Sequence, residues 1–190
     1  GKILRSPYPF ARIVSVDKSE ALAMDGVACV VTWQDIAGEG ISVNNGFTPP
    51  RHPNILDEYV RYVGDAVALV VADTEDLAME AMDKIKVEYE QLEPVYTIDE
   101  AMKPGAPQLH EEYPNNILAH TSIYKGDYDA AIKEPGLIRV EGWYDTPTVQ
   151  HCHIENHICF AEMEGGRIVI TSSTQIPHIV RRIVGQALGI

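Results

Sequence analysis

Two stretches of the chain carry side chains with the means to do chemistry. In QHCHIENH, Gln150 to His157, the alternate residues His151, His153, Glu155 and His157 share one face if the stretch is extended. Imidazole with carboxylate is a ligand set for zinc or iron. Four successive same-face positions span too great a length to close around one ion, so at most two or three could bind it. The other reading is a polar strand face hydrogen-bonded to neighbouring strands or to another chain. The second stretch, SSTQIPHIVRRIVGQALGI, runs from Ser172 to Ile190. Here one uncharged amide, Gln175, lies between a strand-like segment and a helix opened by Pro177. Such junctions lie at sheet ends, where ligand sites gather. An amide both donates and accepts without charge, which suits orienting an oxo or hydroxo group. Its plainer reading is a polar residue opening an ordinary helix.

The elements that must hold these residues follow from periodicity and punctuation. RIVSVDKSEALAMDGVACVVTWQDIAG predicts strand, short helix, strand, short helix, with Asp17 and Glu20 as a capping pair, Gly26 as the stop and Val27 to Thr32 as the second strand. Residues 37 to 58, rich in Gly, Asn and Pro, predict a long loop. Ala66 to Ala72 is an apolar run suited to a strand covered on both faces, and Asp73 or Thr74 caps a helix through about Asp83. Ile85, Val87 and Tyr89 then alternate with Lys86, Glu88 and Glu90 at strand spacing. The Pro-rich, acidic stretch from Pro94 to Asn116 predicts a linker with one small helix marked by Thr97 and Glu100. Strands are predicted at about 117 to 124, 137 to 145, 149 to 162 and 167 to 172, the last two joined by a Gly165-Gly166 turn. A closing helix aligns Ile179, Val180, Ile183, Val184, Ala187 and Leu188 on one face. With nothing after it to cover that stripe, the second half reads as cut.

Composition narrows the field. The chain of 190 residues has a net charge of −13, which argues against nucleic acid as a partner. Residues 1 to 100 hold 18 acids against 8 bases and residues 101 to 190 hold 10 against 7, so the first half is the acidic one. No stretch approaches the roughly 18 apolar residues of a membrane span. The opening GKILRSPYPFARI lacks the build of a secretion signal, and a cytoplasmic location is expected. Cys29, Cys152 and Cys159 form no C-x-x-C pair and are expected to be reduced packing residues. No G-x-S-x-G elbow, phosphate-loop or G-x-G-x-x-G motif occurs.

Taken in order, GKILRSPYPFARI, VGDAVALVVADTEDLAMEAMDKIKVEYEQLEPV, Gly126-Asp127, HCHIENH and SSTQIPHIVRRIVGQALGI resemble the molybdenum-binding subunit of the xanthine dehydrogenase and aldehyde oxidase family. The resemblance covers essentially the whole chain. It implies an α+β fold: an α/β hammerhead domain at residues 1–100, a linker at 101–116, and at 117–190 the first strands and helix of an incomplete molybdopterin-binding domain. Members hydroxylate an aromatic heterocycle or an aldehyde with oxygen from water, using a molybdenum–pterin cofactor. Their electrons pass to iron–sulfur clusters and FAD on partner chains or domains. The metal is held by the pterin, which implies no protein metal ligand here and weakens the metal reading of the histidine stretch.

The family's S-T-Q motif matches Ser173, Thr174 and Gln175, and its glutamine hydrogen-bonds an oxygen ligand on molybdenum; Gln175 is thus the expected cofactor contact. The family's glycine-rich motif and catalytic glutamate have no counterpart here. The resemblance therefore implies one wall of a site, no complete catalytic set, no pterin bound by this chain alone, and a need for the remaining molybdopterin-domain polypeptide. Glu155-Asn156 stands where the family often has Glu-Pro. TPTVQHCHIE resembles bacterial xanthine dehydrogenases more than aldehyde oxidoreductases or carbon monoxide dehydrogenases, so purines are expected first as substrate, nicotinate-type heterocycles second and aldehydes after them. The reading from a different class is a non-catalytic module that docks partner subunits.

Overall fold

The computed structural model describes residues 1–36 and 55–190; most of the loop predicted at 37 to 58 lies outside them. The chain divides into two compact units, residues 1–120 with 178–190, and residues 121–177.

The first unit contains two three-stranded sheets. Strands β1 (Lys2–Arg5), β5 (Ala66–Ala72) and β3 (Val27–Thr32) form one, in that order, with β5 central and antiparallel to both neighbours. Strands β4 (Tyr59–Val60), β2 (Ala11–Asp17) and β6 (Lys86–Gln91) form the other, with β2 central. The apolar run of β5 is explained by its position: Val67, Ala68 and Val70 are all fully buried. Its flanking register sets Val30 against Val70 on one side and Leu69 against Ile3 on the other.

Helix α2 (Trp33–Ile36) follows β3, and helices α1 (Ser19–Leu22) and α3 (Glu75–Asp83) cover the first sheet, where Ala21, Val30, Ala68, Val70, Ala78, Ala81 and Ile85 form one core. A second core gathers Ala11, Ile13, Val60 and Val67. Leu4, Val16 and Val87 pack against both cores and join them. The strand–helix–strand passage from β5 through α3 to β6 therefore carries the chain from one sheet into the other.

Local signals behave as their chemistry dictates. Thr74 is the N-cap of α3, its hydroxyl accepting from Leu77 N at 3.2 Å. Thr97 opens α4 (Ile98–Ala101) with a complete capping box, in which Thr97 Oγ1 accepts from Glu100 N and Glu100 Oε2 accepts from Thr97 N, both at 3.2 Å. At α1 the expected capping box does not form. Lys18 is the N-cap, Asp17 Oδ1 instead accepts from Ser19 N and Ser19 Oγ, and Glu20 is drawn to Lys86 on β6. A cation on β6 takes that carboxylate in place of the local backbone N–H. Gly26 has φ of +85°, the left-handed region that favours glycine, and a Cβ there would lie 2.8 Å from Leu77 Cδ2, so any other residue would strain the turn into β3.

The stretch after β6 is held by side chains. Asn116 Oδ1 accepts from Leu109 N at 2.8 Å while its Nδ2 donates to Pro107 O and Ala101 O at 2.9 and 3.0 Å. Arg61 Nε donates to Leu109 O at 2.8 Å and its Nη1 pairs with Asp57 at 2.7 Å, which ties the stretch to the segment beyond β4.

The second unit has one helical turn, α5 (Tyr128–Ala131), capped by Asp127, and one hairpin, β7 (Cys159–Glu164) with β8 (Arg167–Ser172). Gly165 and Gly166 turn the hairpin with φ of +55° and +79°. The strands expected at about 117 to 124 and 137 to 145 do not form, and the one expected at 149 to 162 shrinks to 159–164. Their residues have the right composition but no paired neighbour, and an unpaired strand leaves its backbone groups to water. Ile138, Val140, Trp143 and Tyr144 are exposed accordingly, Trp143 at 99%. Cys152 and Cys159 are likewise exposed, contrary to the expected packing role, and Cys29 is half-buried.

Helix α6 (Pro177–Leu188) begins with its proline in the first turn, where the missing N–H costs nothing. Its stripe of Ile179, Val180, Ile183, Val184 and Ala187 is only half-buried, Leu188 is exposed, and no residue of the helix is buried.

Candidate functional site

The turn from Ser172 to Ile176 follows β8, and two hydroxyls shape it. Thr174 Oγ1 accepts from Ile176 N at 3.2 Å, a local side-chain turn that bends the chain toward α6. Ser173 reaches back across the hairpin. Its backbone N–H donates to Ile158 O at 3.3 Å, its Oγ accepts from Ile158 N at 3.3 Å, and its hydroxyl has Asn156 O at 3.1 Å and Ile158 O at 3.4 Å as acceptors. A hydroxyl has one proton, and the nearer Asn156 carbonyl takes it. Gln175 stands between Thr174 and Ile176, the two residues joined by that turn bond, and its side chain is exposed with no hydrogen bond to a described residue. Its amide is thus free to meet an outside group with both a donor and an acceptor.

The histidine stretch is a loop rather than a strand, so its alternate residues do not share a face. Only two of the four come together. His153 Nε2 and His157 Nε2 are 3.1 Å apart with ring centroids at 4.6 Å, an arrangement in which one ring donates and the other accepts. His151 and Glu155 stay exposed. Among the described residues, no group of three His, Cys, Asp or Glu could hold a metal ion. Cys152 sits at φ of +51°, a backbone conformation that disfavours side chains and that marks the bend that removes this stretch from strand geometry.

A second polar cluster lies in the first unit. His110 has a buried Nδ1 without a hydrogen-bond partner, and its ring lies 5.7 Å from that of Tyr113. Burial pushes its pKa below the usual 6.5, and the positive charge of Arg61 pushes the same way. Arg61 is spent on Asp57, Tyr59 O and Leu109 O, so this cluster binds the stretch 97–116 in place and offers no open charge. The sequence singles out neither Ser173's clamp nor Arg61's. The only advance signals are a serine pair ending a strand and the i, i+4 spacing of Asp57 with Arg61.

Among the described residues, the Gln175 turn offers an outside group one exposed neutral amide and no set of three His, Cys, Asp or Glu. The profile described as aldehyde oxidase and xanthine dehydrogenase, a/b hammerhead domain, matches residues 1–93, and that of the molybdopterin cofactor-binding domain matches residues 109–190.

The chain is 36% identical to the xanthine dehydrogenase molybdenum-binding subunit of Escherichia coli O157:H7, over 100% of this chain and 26% of that protein. It is 37% identical to the nicotinate dehydrogenase large molybdopterin subunit of Eubacterium barkeri, over 99% of this chain and 43% of that one. Among solved structures, the aldehyde oxidoreductase of Desulfovibrio gigas superposes with a TM-score of 0.87 at 29% identity, over 100% of this chain and 22% of its own. The chain thus spans about a quarter of the xanthine dehydrogenase subunit's length.

Proposed function

Because this chain belongs to the aldehyde oxidase and xanthine dehydrogenase family, with a hammerhead domain followed by a molybdopterin cofactor-binding domain, we propose that it forms part of a molybdenum hydroxylase acting on an aromatic heterocycle, with a purine as first substrate and nicotinate as second. The single observation that carries this reading is the unpartnered amide of Gln175, exposed in a turn fixed on both sides, within the stretch that matches the cofactor-binding domain. When bound, the molybdenum–pterin cofactor supplies the redox chemistry that hydroxylates a ring carbon with oxygen from water. Gln175 holds and orients that cofactor through its amide, and Ser173 and Thr174 keep the amide presented. The hammerhead domain contributes support, held by structural ion pairs such as Arg12 with Glu58 and Lys18 with Asp35.

The exposed apolar segments around Val140 and Trp143 favour pairing with further polypeptide of the cofactor-binding domain, and iron–sulfur and FAD partners would take the electrons. The test is Gln175→Ala in the assembled enzyme. Turnover is expected to fall by about two orders of magnitude, as for loss of one preorganised hydrogen bond. The thermal unfolding temperature should not move, because the side chain is exposed. A rate equal to wild type removes Gln175 from the site. Assays with xanthine, nicotinate and an aldehyde rank the substrates.

A further inference from the structure

Pairing between β7 and β8 ends at Cys159 opposite Ser172. One residue further the two chains should separate, since no third strand flanks the hairpin among the described residues. Ser173 prevents this with its side chain. Its backbone N–H continues the ladder to Ile158 O, its Oγ receives the Ile158 N–H, and its hydroxyl proton goes to Asn156 O. These bonds span 15 to 17 residues of sequence. They fasten the loop 151–158, itself closed by the His153–His157 contact, to the backbone two residues before Gln175. A two-stranded hairpin is marginal by itself, so the position of its end depends on whatever bonds hold that end.

We infer that Ser173 is a positioning residue: its hydroxyl clamps the histidine loop to the end of β8 and thereby sets where Gln175 presents its amide. The inference rests on the reading of Gln175 as a cofactor contact. Ser173→Ala removes the acceptor of Ile158 N–H and the donor to Asn156 O, while the backbone bond to Ile158 O persists. The loop and the turn then move independently, and Gln175 samples positions from which its amide misses its target. A threonine retains the hydroxyl and with it the clamp.

The experiment compares Ser173→Ala, Ser173→Thr, Gln175→Ala and the Ser173→Ala/Gln175→Ala pair in the assembled enzyme, with xanthine as the probe. It reads kcat and KM per bound molybdenum, molybdenum content, the Mo(V) electron paramagnetic resonance signal, and amide hydrogen exchange of the peptide containing Ile158. Ser173→Ala is expected to lower kcat about tenfold, the scale for groups that orient a metal site from outside it. KM should stay within about twofold, molybdenum content should hold, the Mo(V) signal should change shape, and the Ile158 peptide should exchange faster. Ser173→Thr should restore all of these. The double variant should be no slower than Gln175→Ala, since both changes act through one amide.

Unchanged exchange in Ser173→Ala means that the clamp does not exist and overturns the inference. Faster exchange with unchanged kcat and an unchanged Mo(V) signal, or a loss of molybdenum at constant rate per molybdenum, gives Ser173 a structural role only and also overturns it. If Gln175→Ala is slow but Ser173→Ala is not, this inference alone falls. If Gln175→Ala is as fast as wild type, the reading of Gln175 falls first and takes this one with it.

Discussion

ARIVSVD at residues 11–17 and LIRVEGWYD at residues 137–145 both mix β-branched or aromatic residues with charged ones, and only the first is a strand. In the first, β4 and β6 flank the segment and Ile13 is 1% exposed in a core shared with Val60 and Val67. In the second, no partner strand is present among the described residues and Trp143 is 99% exposed. The lesson is that β-propensity reports fitness for a pleated, half-buried surface; it does not create that surface.

Core deletion sharpens this contrast most. Ile13→Ala is expected to cost about 2–5 kcal/mol by chemical denaturation, since it removes packed methylenes from a closed site. Trp143→Ala is expected to fall within about 0.5 kcal/mol, as for an exposed position without partners. Equal costs at the two positions would mean that the second segment has a core of its own, and the contrast would fail.

A smaller effect tests how the stretch after β6 is tied to the sheets of the first unit. Thr97→Ala breaks the capping box of α4 and should cost about 1 kcal/mol, read in the same denaturation experiment. Loss of protection confined to residues 97–116 in hydrogen exchange would place that stretch in a cooperative unit separate from the sheets; loss spread through β2 and β5 would unite them.

The smallest effect is a dependence on pH. His110 is held below its ordinary value of 6.5 by burial and by Arg61, so the unfolded chain takes up its proton first as pH falls. His110 therefore costs no stability above about pH 6.5, and stability declines from there down to its folded pKa. His110→Phe should flatten that part of the stability curve. A curve of the same slope in the variant would assign the acid sensitivity to other groups.

Legibility in the sequence followed distance along the chain. The Thr74 and Thr97 caps, Pro177 and the Gly165-Gly166 turn could be read because each is decided by residues at most four positions away, and β3 and β5 showed as apolar runs whose pairing lay elsewhere in the chain. The capping pair expected at Asp17 and Glu20 failed when Lys86, 66 residues distant, took the carboxylate. The histidine stretch failed as a strand because pairing partners decide extension, and among the described residues it has none. At the candidate site the sequence marked Gln175, whereas the clamp from Ser173 is visible only once Ile158 and Asn156 are brought beside it.

By itself, then, the sequence determined the local elements, their caps and turns, and the family-specific run of residues around Gln175. Tertiary structure alone decided that β5 and β6 enter different sheets, that only two of the four residues in the histidine stretch meet, and that a serine hydroxyl holds the turn before the amide. The physical reason is the range of the interactions. A cap or a turn is closed by neighbours whose contact costs little chain entropy, while a ladder, an ion pair or a clamp closes a long loop and forms only where the rest of the fold has already brought its two ends together.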